Sequence, residues 1–282
     1  MKIWSVSVVM CLVLALGCST PPKTVTSNES FAITLTHPLH LGGHEYRTIS
    51  PSDVPKLRQL AVANMWESNL AVADDTLTLT DPNNSHVMVR TVAEYDQIIA
   101  KGYFAKTGAD IRHEAQFAVA SAVLKVVEKA KPVQSSFVAK PYRGIHSLDL
   151  LPIDLLPSHE SDDAAEHQRR TATGTTLAQL VKEGIVLAEM DKTQSPPKIA
   201  FHWPGKIFTK QALIKEYGAE QAAELGSVLT VIELARGDFN GDGIEDILVY
   251  AIYRFTEGSF VAFDLYLLTR TEAAGLFKIE LL

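Results

Sequence analysis

The amino-acid sequence predicts an α+β fold in which helices of the N-terminal and middle parts pack on an antiparallel sheet. Helical and strand-like stretches are segregated along the chain and no strand–helix–strand unit recurs, which favours α+β over α/β. Residues 228–282 have a nearly continuous β-pattern, and they predict a C-terminal meander of three or four antiparallel strands. Because 46% of its residues are hydrophobic, the chain can fold around a core.

Short alternating runs predict strands near the start of the folded part. A Gly42-Gly43 turn interrupts the second run, and the turn Asp81-Pro82-Asn83-Asn84 joins two further runs into a hairpin. Pro51-Ser52-Asp53 is typical of a helix start, and apolar residues at helical spacing extend this helix to about Glu67. The predicted strands cover residues 31–35, 39–49, 77–79 and 87–90.

The strongest helical signal lies over residues 110–131, after a shorter predicted helix at 92–101. Small apolar side chains recur every three or four residues on one face, charged residues occupy the other, and Pro132 stops the helix. We interpret this helix as core scaffold that packs closely against a sheet. Its apolar face consists of Ile111, Ala115, Ala118, Ala122 and Val126.

Signals in the middle of the chain are more mixed. The polar stretch 159–176 indicates an exposed helix or loop, and a domain boundary, if the chain has one, falls at 158–176. Residues 177–189 fit either a helix or a strand, with a break at Gly184. The predicted strands are 133–139, 146–151 and 199–203, and the predicted helices are 209–217 and 219–225.

The N-terminus has the pattern of a targeting segment. Lys2 gives it a positive start, and residues 3–16 form a mostly apolar run. That run is shorter than the roughly 18–20 residues that a membrane-spanning helix needs. It leads to Gly17, which is followed by Cys18. Residues 1–17 are therefore predicted to be a signal peptide that is removed.

A small residue directly before cysteine resembles the lipobox of bacterial lipoproteins. In that family the cysteine is diacylated, the peptide is removed and the new N-terminus is acylated, which implies lipidation at Cys18. The third residue before the cysteine is Ala15, where the family most often has leucine. Ser19 follows, and the resemblance implies sorting to the outer membrane of a Gram-negative cell, facing the periplasm. The alternative is an ordinary secretory signal that leaves a free Cys18.

The rest of the chain divides into a tether and a folded part. Residues 18–30 are polar with two prolines and predict a flexible tether, whereas residues 31–282 suffice for one large domain or two small ones. Because Cys11 lies in the signal peptide, a lipidated Cys18 leaves no thiol in the mature chain. Loss of Lys2 changes the net charge from −7 to −8, and this acidic balance argues against nucleic acid as a partner.

The nonapeptide from Asp238 to Asp246 is the strongest candidate site. Oxygen-bearing side chains occur at loop positions 1, 3, 5 and 9, glycine occupies position 6, and strand-like segments flank the loop. A hard cation such as Ca²⁺ takes six to eight oxygen ligands, which a short loop supplies from alternate side chains and the carbonyl at position 7. Gly243 allows the sharp turn. The alternative is a metal-free turn, because Asp, Asn and Gly favour turns in any case.

This loop begins like an EF-hand, but position 12 is Val249 and the segment that follows is a β-run. With its last acid at position 9, the loop resembles those of FG-GAP/VCBS repeats, the calcium-binding turns of integrin-type β-propellers. The resemblance implies bound Ca²⁺. It also implies, as ligands, Asp238, Asn240, Asp242, the carbonyl of Ile244 and Asp246. The motif occurs once, so the sequence does not predict a propeller, which needs several blades.

Familiar catalytic motifs are missing from the sequence, including G-x-S-x-G, the P-loop and H-E-x-x-H. His37, His40 and His44 straddle a proline and a glycine pair, so we interpret them as surface histidines. Asp149 with Asp154 resembles an acid–base pair, but such pairs arise by chance among 33 acidic residues.

Two function classes follow from the sequence. The first is a binding or structural lipoprotein that is held at the cell envelope through Cys18 and engages a protein, a peptide or an envelope component. In this class the Ca²⁺ ion fixes the hairpin of residues 247–269. The alternative is a periplasmic hydrolase of unrecognised type, in which the ion is structural or polarises a substrate.

Overall fold

An antiparallel sheet forms the centre of the protein in the computed structural model. The structure describes residues 31–63, 76–138, 147–156, 161–191, 198–203, 227–255 and 261–282. The described strands are β1 Ile33–Leu41, β2 His44–Ile49, β3 Leu77–Thr80, β4 His86–Val89, β5 Leu187–Asp191, β6 Lys198–Trp203, β7 Ser227–Gly237, β8 Asp246–Phe255, β9 Val261–Thr269 and β10 Lys278–Leu281. The described helices are α1 Val54–Leu57, α2 Val92–Ile99, α3 Gly108–Lys129, α4 Ser161–Ala172 and α5 Leu177–Lys182, with 3-10 turns at Pro51–Asp53 and Ile153–Leu155.

Strand β7 organises the sheet because two strands share one of its edges. The order is β10-β9-β8-β7, after which β6 pairs with the first half of β7 and β1 with its second half. Strand β5 continues from β6 and β2 continues from β1, while β3 and β4 form a separate hairpin. Leu234 is an extra residue between the pairs Glu233–Val249 and Ala235–Leu248, a β-bulge that bends β7 where its neighbours change.

Both faces of the central strands are buried. Along β8, Leu248 and Tyr250 belong to one core cluster, whereas Ile247, Val249 and Ala251 belong to the other. This alternation places helices α1 to α3 and the hairpin β3–β4 on one side of the sheet, and helix α5 with the 3-10 turn at Ile153–Leu155 on the other. The fold is therefore layered, with the sheet between two apolar cores.

The α+β class and the C-terminal meander are confirmed, since β7 to β10 follow one another as antiparallel neighbours. The hairpin β3–β4 lies where the sequence predicts it, and the predicted turn at Gly42-Gly43 joins β1 to β2, although β1 runs unbroken from Ile33 to Leu41. Residues 177–189 contain both alternatives in succession, because α5 ends at Lys182 and β5 begins at Leu187. Residues 31–282 form one compact unit that runs through the stretch 158–176. The predicted helices at 209–217 and 219–225 lie outside the described residues.

Three predicted elements differ from the structure. The helix expected from Pro51 to about Glu67 ends at Leu57, because the chain is then drawn into main-chain pairing. The amide of Val62 donates to the Arg90 carbonyl at 3.0 Å, and this tertiary contact outweighs helical spacing. Residues 133–138 are not a strand, and 148–150 form a turn. Both stretches make their hydrogen bonds to other parts of the chain instead.

Helix α3 is core scaffold, as predicted, but it is buried on more sides than its small-residue face suggests. Phe117, Ala120, Leu124 and Val127 are all fully enclosed. The predicted face containing Ala118 and Ala122 lines an open cavity of about 700 Å³ beside β9. The side chain of Thr107 begins the helix by accepting a hydrogen bond from the Asp110 amide at 3.1 Å.

Candidate metal centre

The loop between β7 and β8 carries the residues that the sequence predicts as metal ligands. Gly237 and Asp246 face each other as the last pair of the β7–β8 ladder, so the loop closes at the end of two central strands. Phe239 folds back into the core on the α3 side of the sheet. This apolar anchor fixes the start of the loop, and the two outermost acids then lie at its base.

Asp238 is buried and holds the first half of the loop. Its side chain is 1% exposed, and its two carboxylate oxygens accept hydrogen bonds from the amides of Gly241 at 2.7 Å and Gly243 at 2.9 Å. Both glycines have positive φ angles, 82° and 83°, which a residue with a Cβ rarely adopts. The two glycines therefore let the backbone turn its amides toward one carboxylate.

Asp246 is fully buried and holds the loop from the other end. One of its oxygens accepts from the amides of Phe239 at 2.9 Å and Asn240 at 3.3 Å. The other accepts from the Thr269 hydroxyl at 2.5 Å and from the Asn240 side-chain amide at 3.4 Å. Asp246 thus joins the loop to the end of β9.

The exposed middle of the loop is made of consecutive side-chain turns. Asn240 Oδ1 accepts from the Asp242 amide at 2.9 Å, and Asp242 Oδ1 accepts from the Ile244 amide at 2.8 Å. Each oxygen keeps further lone-pair capacity after one such bond. Asn240 and Asp242 face solvent, unlike the two buried acids.

A strap of residues 131–136, which follows α3, packs along the outside of the loop. Gly243 accepts main-chain hydrogen bonds from Gln134 at 2.9 Å and Ser135 at 3.1 Å, and the Glu245 amide donates to Ser135 at 2.9 Å. Lys131 donates to the carbonyl of Asp238 at 2.9 Å. The residues before and after Ile244 bond to the strap. The Ile244 carbonyl, which is predicted as a ligand, is not hydrogen-bonded to the strap.

The atoms that the loop offers as metal ligands are all oxygens, which are the ligands that Ca²⁺ requires. Their present arrangement is held by main-chain amides. Within the described ranges, no three His, Cys, Asp or Glu side chains come close enough together to hold a metal ion. The residues that could hold a cation at this loop are the buried Asp238 and Asp246, the exposed Asn240 and Asp242, and the Ile244 carbonyl, and the side-chain oxygens would have to exchange amide hydrogen bonds for the ion.

Burial governs the electrostatics of Asp246. Desolvation raises the pKa of this carboxyl above its usual range, and the negative charge of Asp242 acts in the same direction. Hydrogen bonds from Thr269, Phe239 and Asn240 act the other way without cancelling the effect of burial. A positive charge in the loop would favour the ionised form of Asp246.

The other residues considered from the sequence do not form a comparable site. Cys18 lies outside the described residues. Asp154 is 3.9 Å from His167 Nε2, too far for a hydrogen bond, and the same carboxylate accepts from the Thr171 hydroxyl at 3.2 Å. Asp149 is exposed and is not hydrogen-bonded to Asp154 within the described part of the chain.

Sequence reasoning missed Thr269 and the strap. Thr269 is 23 positions from Asp246, and Gln134 is more than a hundred positions from Gly243, so no local spacing could reveal either contact. The only usable signal was glycine at position 243. A Cβ there would lie 3.2 Å from the Gln134 side chain, so a neighbouring segment needs that space.

Comparison of the chain with protein-family models, curated proteins and solved structures gave no match. In the described part of the chain, no helix has both the length and the apolar character needed to span a bilayer.

Proposed function

We propose that this protein is a lipid-anchored cell-envelope protein whose folded part is a binding or structural module stabilised by Ca²⁺. The observation that carries the proposal is the loop at the end of β7 and β8, which closes on two buried aspartates and is bonded to both β9 and the strap. The proposed ligands are Asp238, Asn240, Asp242, the Ile244 carbonyl and Asp246.

The physical case for an ion is the concentration of negative charge in a short loop. Asp238 and Asp246 are both withdrawn from water, and Asp242 lies between them in sequence. Burying carboxylates is costly unless opposite charge or hydrogen bonds compensate. Main-chain amides supply part of this compensation here, and a divalent cation would supply the rest. Because the loop joins two central strands, its stabilisation extends to the sheet.

The envelope location rests on Cys18. Several acyl chains on one residue anchor a protein stably, whereas a single chain binds a membrane only reversibly. The proposed position is the outer membrane, with the folded part in the periplasm on the tether of residues 18–30. The acidic net charge of −7 disfavours nucleic acid and leaves a protein or envelope component as the partner class.

Calcium titration of the purified folded part tests the proposal. A ligand that binds only the folded state adds about 2.7 kcal/mol of stability at a hundredfold excess over Kd. For a chain of this size that corresponds to a rise in Tm of about 5–10 °C. Asp242→Ala should abolish the rise, whereas Asp149→Ala, the same change at an exposed acid outside the loop, should leave it intact. An unchanged Tm at millimolar Ca²⁺ would reject the metal site.

A further inference from the structure

Strand β10 lies at the end of the sheet. Two of its four residues, Ile279 and Leu281, turn their main-chain groups outward, and these two residues are called the open half of β10. The amide of Leu282 donates to the Leu265 carbonyl at 2.9 Å, which fixes the phase of the β9–β10 ladder. In antiparallel pairing the bonded residues alternate, so Lys278 and Glu280 bond to β9, and the amides and carbonyls of Ile279 and Leu281 point outward. Within the described residues, no main-chain hydrogen bond reaches these outward groups.

The same edge is already used for pairing at one position. Phe277 is the previous outward-facing residue, and its amide donates to the Leu150 carbonyl at 3.0 Å. Leu150 therefore occupies the place opposite Phe277, and any further strand can pair only beyond it, at Ile279 and Leu281. The edge thus offers a short, defined length rather than an unlimited one.

The two faces of this edge have different chemistry. Ile279 and Leu281 line an open cleft of about 530 Å³, which the segment 171–175 bounds on the far side. The Leu281 side chain is 63% exposed. Glu280 lies on the opposite face and is exposed, and no ion pair in the described part of the chain involves it. An added strand would therefore meet an apolar cleft on one face and the exposed side chains of Lys278 and Glu280 on the other.

A second copy of the chain fits this edge poorly. Because Leu150 blocks the position opposite Phe277, the antiparallel register that pairs both open residues sets Ile279 against Leu281 of the other copy. That register places the two Glu280 side chains directly opposite each other, where like charges are destabilising. Strand β2, at another edge, carries Glu45 and Arg47 in an ion pair of its own at 2.5 Å. Among the described residues, Glu280 forms no ion pair of this kind, and the exposed Lys278 is its neighbour on the same face of β10.

We propose that the open half of β10 binds an extended strand of another protein, with a basic residue opposite Glu280 and apolar residues on either side of it. Main-chain hydrogen bonds to Ile279 and Leu281 would hold the strand, as in other cases of strand addition at a sheet edge. The apolar side chains would enter the cleft, and the basic one would pair with Glu280. This deepens the binding role proposed above, but it does not depend on the calcium loop.

Two labelled peptides test the assignment by fluorescence polarisation. Both are capped nonapeptides with a central Thr-Val-Lys-Val-Thr or Thr-Val-Glu-Val-Thr sequence. The lysine peptide should bind more tightly by about three- to tenfold, the effect expected when an attractive cross-strand pair replaces a repulsive one. Glu280→Lys should reverse the preference, which loss of folding could not produce. Glu45→Lys, the same change on β2, should leave the preference unaltered.

Three outcomes would overturn the proposal. Neither peptide binds at millimolar concentration, or the preference survives Glu280→Lys. The third is a dimer of the unmodified chain in sedimentation that the lysine peptide dissociates, which would assign the edge to a second copy. Repeating the titration with a calcium chelator separates this proposal from the preceding one, because peptide binding should persist whether or not Ca²⁺ changes Tm.

Discussion

At the scale of single residues, Asp246 does the most to hold the loop together. Its fully buried carboxylate accepts from two main-chain amides and from the hydroxyl of Thr269, and the bond from the Phe239 amide is itself buried. Such an acceptor fixes the conformation of the loop, because a buried donor that loses this acceptor is left without a hydrogen-bond partner. The loop therefore has a defined shape before any ion is considered.

Removing this acceptor should be costly. We expect Asp246→Ala to lower the free energy of unfolding by about 3 kcal/mol, since it strands the amide of Phe239 and opens a small cavity. Urea denaturation in the presence of a chelator measures the loss independently of metal binding. Asp149→Ala, at an exposed position, should change stability by less than about 0.5 kcal/mol. Equal effects of the two variants would contradict the bonding described for Asp246.

Gly237 gives a second residue-scale prediction. A Cβ at this position would lie 2.7 Å from Ile33 Cδ1 and 3.0 Å from the ring of Phe239. We expect Gly237→Ala to cost about 1–3 kcal/mol, because both neighbours are packed in the core. Gly108→Ala is the control, since nothing lies within 4 Å of the added carbon. Thermal unfolding should show a lower Tm only for the first variant.

At the scale of elements, sequence predicted best where hydrogen bonds are local. The hairpin of β3 and β4 and the helices α2 and α3 form within continuous segments, and their patterns are clear. Helix α2 also has a capping box, in which Thr91 and Glu94 exchange side-chain bonds with each other's amides. The turn between β7 and β8 belongs to this group as a turn, because its acids and glycines lie within nine residues, whereas its binding of Ca²⁺ stays a prediction.

Elements that depend on distant partners could not be predicted. Residues 61–62 leave the helical path to bridge Thr91 and Leu41, and the strap at 131–136 is shaped by Asp238 and Gly243 rather than by its own sequence. The apolar face of α3 was predicted too narrowly for the same reason, because burial on its other sides comes from strands that lie far away in the chain. Local periodicity contains no information about such contacts.

Helix α4 gives a prediction about pH. The hydrogen bond from Arg169 holds the pKa of Glu166 at about 2, with Arg170 contributing in the same direction. A lowered pKa in the folded state adds stability above the ordinary value of 4.5, and this stability is lost as pH falls toward 2. We expect Glu166→Gln to cost about 0.5–1 kcal/mol at pH 7, as for other partly exposed ion pairs.

The cost should shrink as the solution is acidified, because the parent protein then loses the same charge. Urea denaturation of both proteins at pH 7, 4.5 and 2.5 measures the difference between them. Asp149→Asn serves as the control and should behave like the parent throughout. A difference that stays constant over this range would show that Glu166 acts through packing and not through its charge.

At the scale of the whole molecule, the anchor makes the clearest prediction. Cys18→Ser removes the proposed acylation site without touching the folded part. We therefore expect the variant to move from the membrane fraction to the soluble periplasmic fraction, with an unchanged Tm of the folded part. Immunoblotting after separation of the fractions provides the measurement. Unchanged membrane fractionation would instead favour attachment by another route, whereas a parent protein already found in the soluble fraction would favour the ordinary secretory signal.

The shared edge of β7 has a consequence for how the protein matures. Leu35 in β1 pairs with Ala235 in β7, so the first hairpin waits for a strand that lies about 200 residues further along the chain. In a polypeptide that crosses a membrane N-terminus first, this hairpin emerges long before its partner does. If the protein is exported as proposed, the apolar side chains of this hairpin must be shielded in the interval, and partly exported chains should be vulnerable to proteases and dependent on holding chaperones.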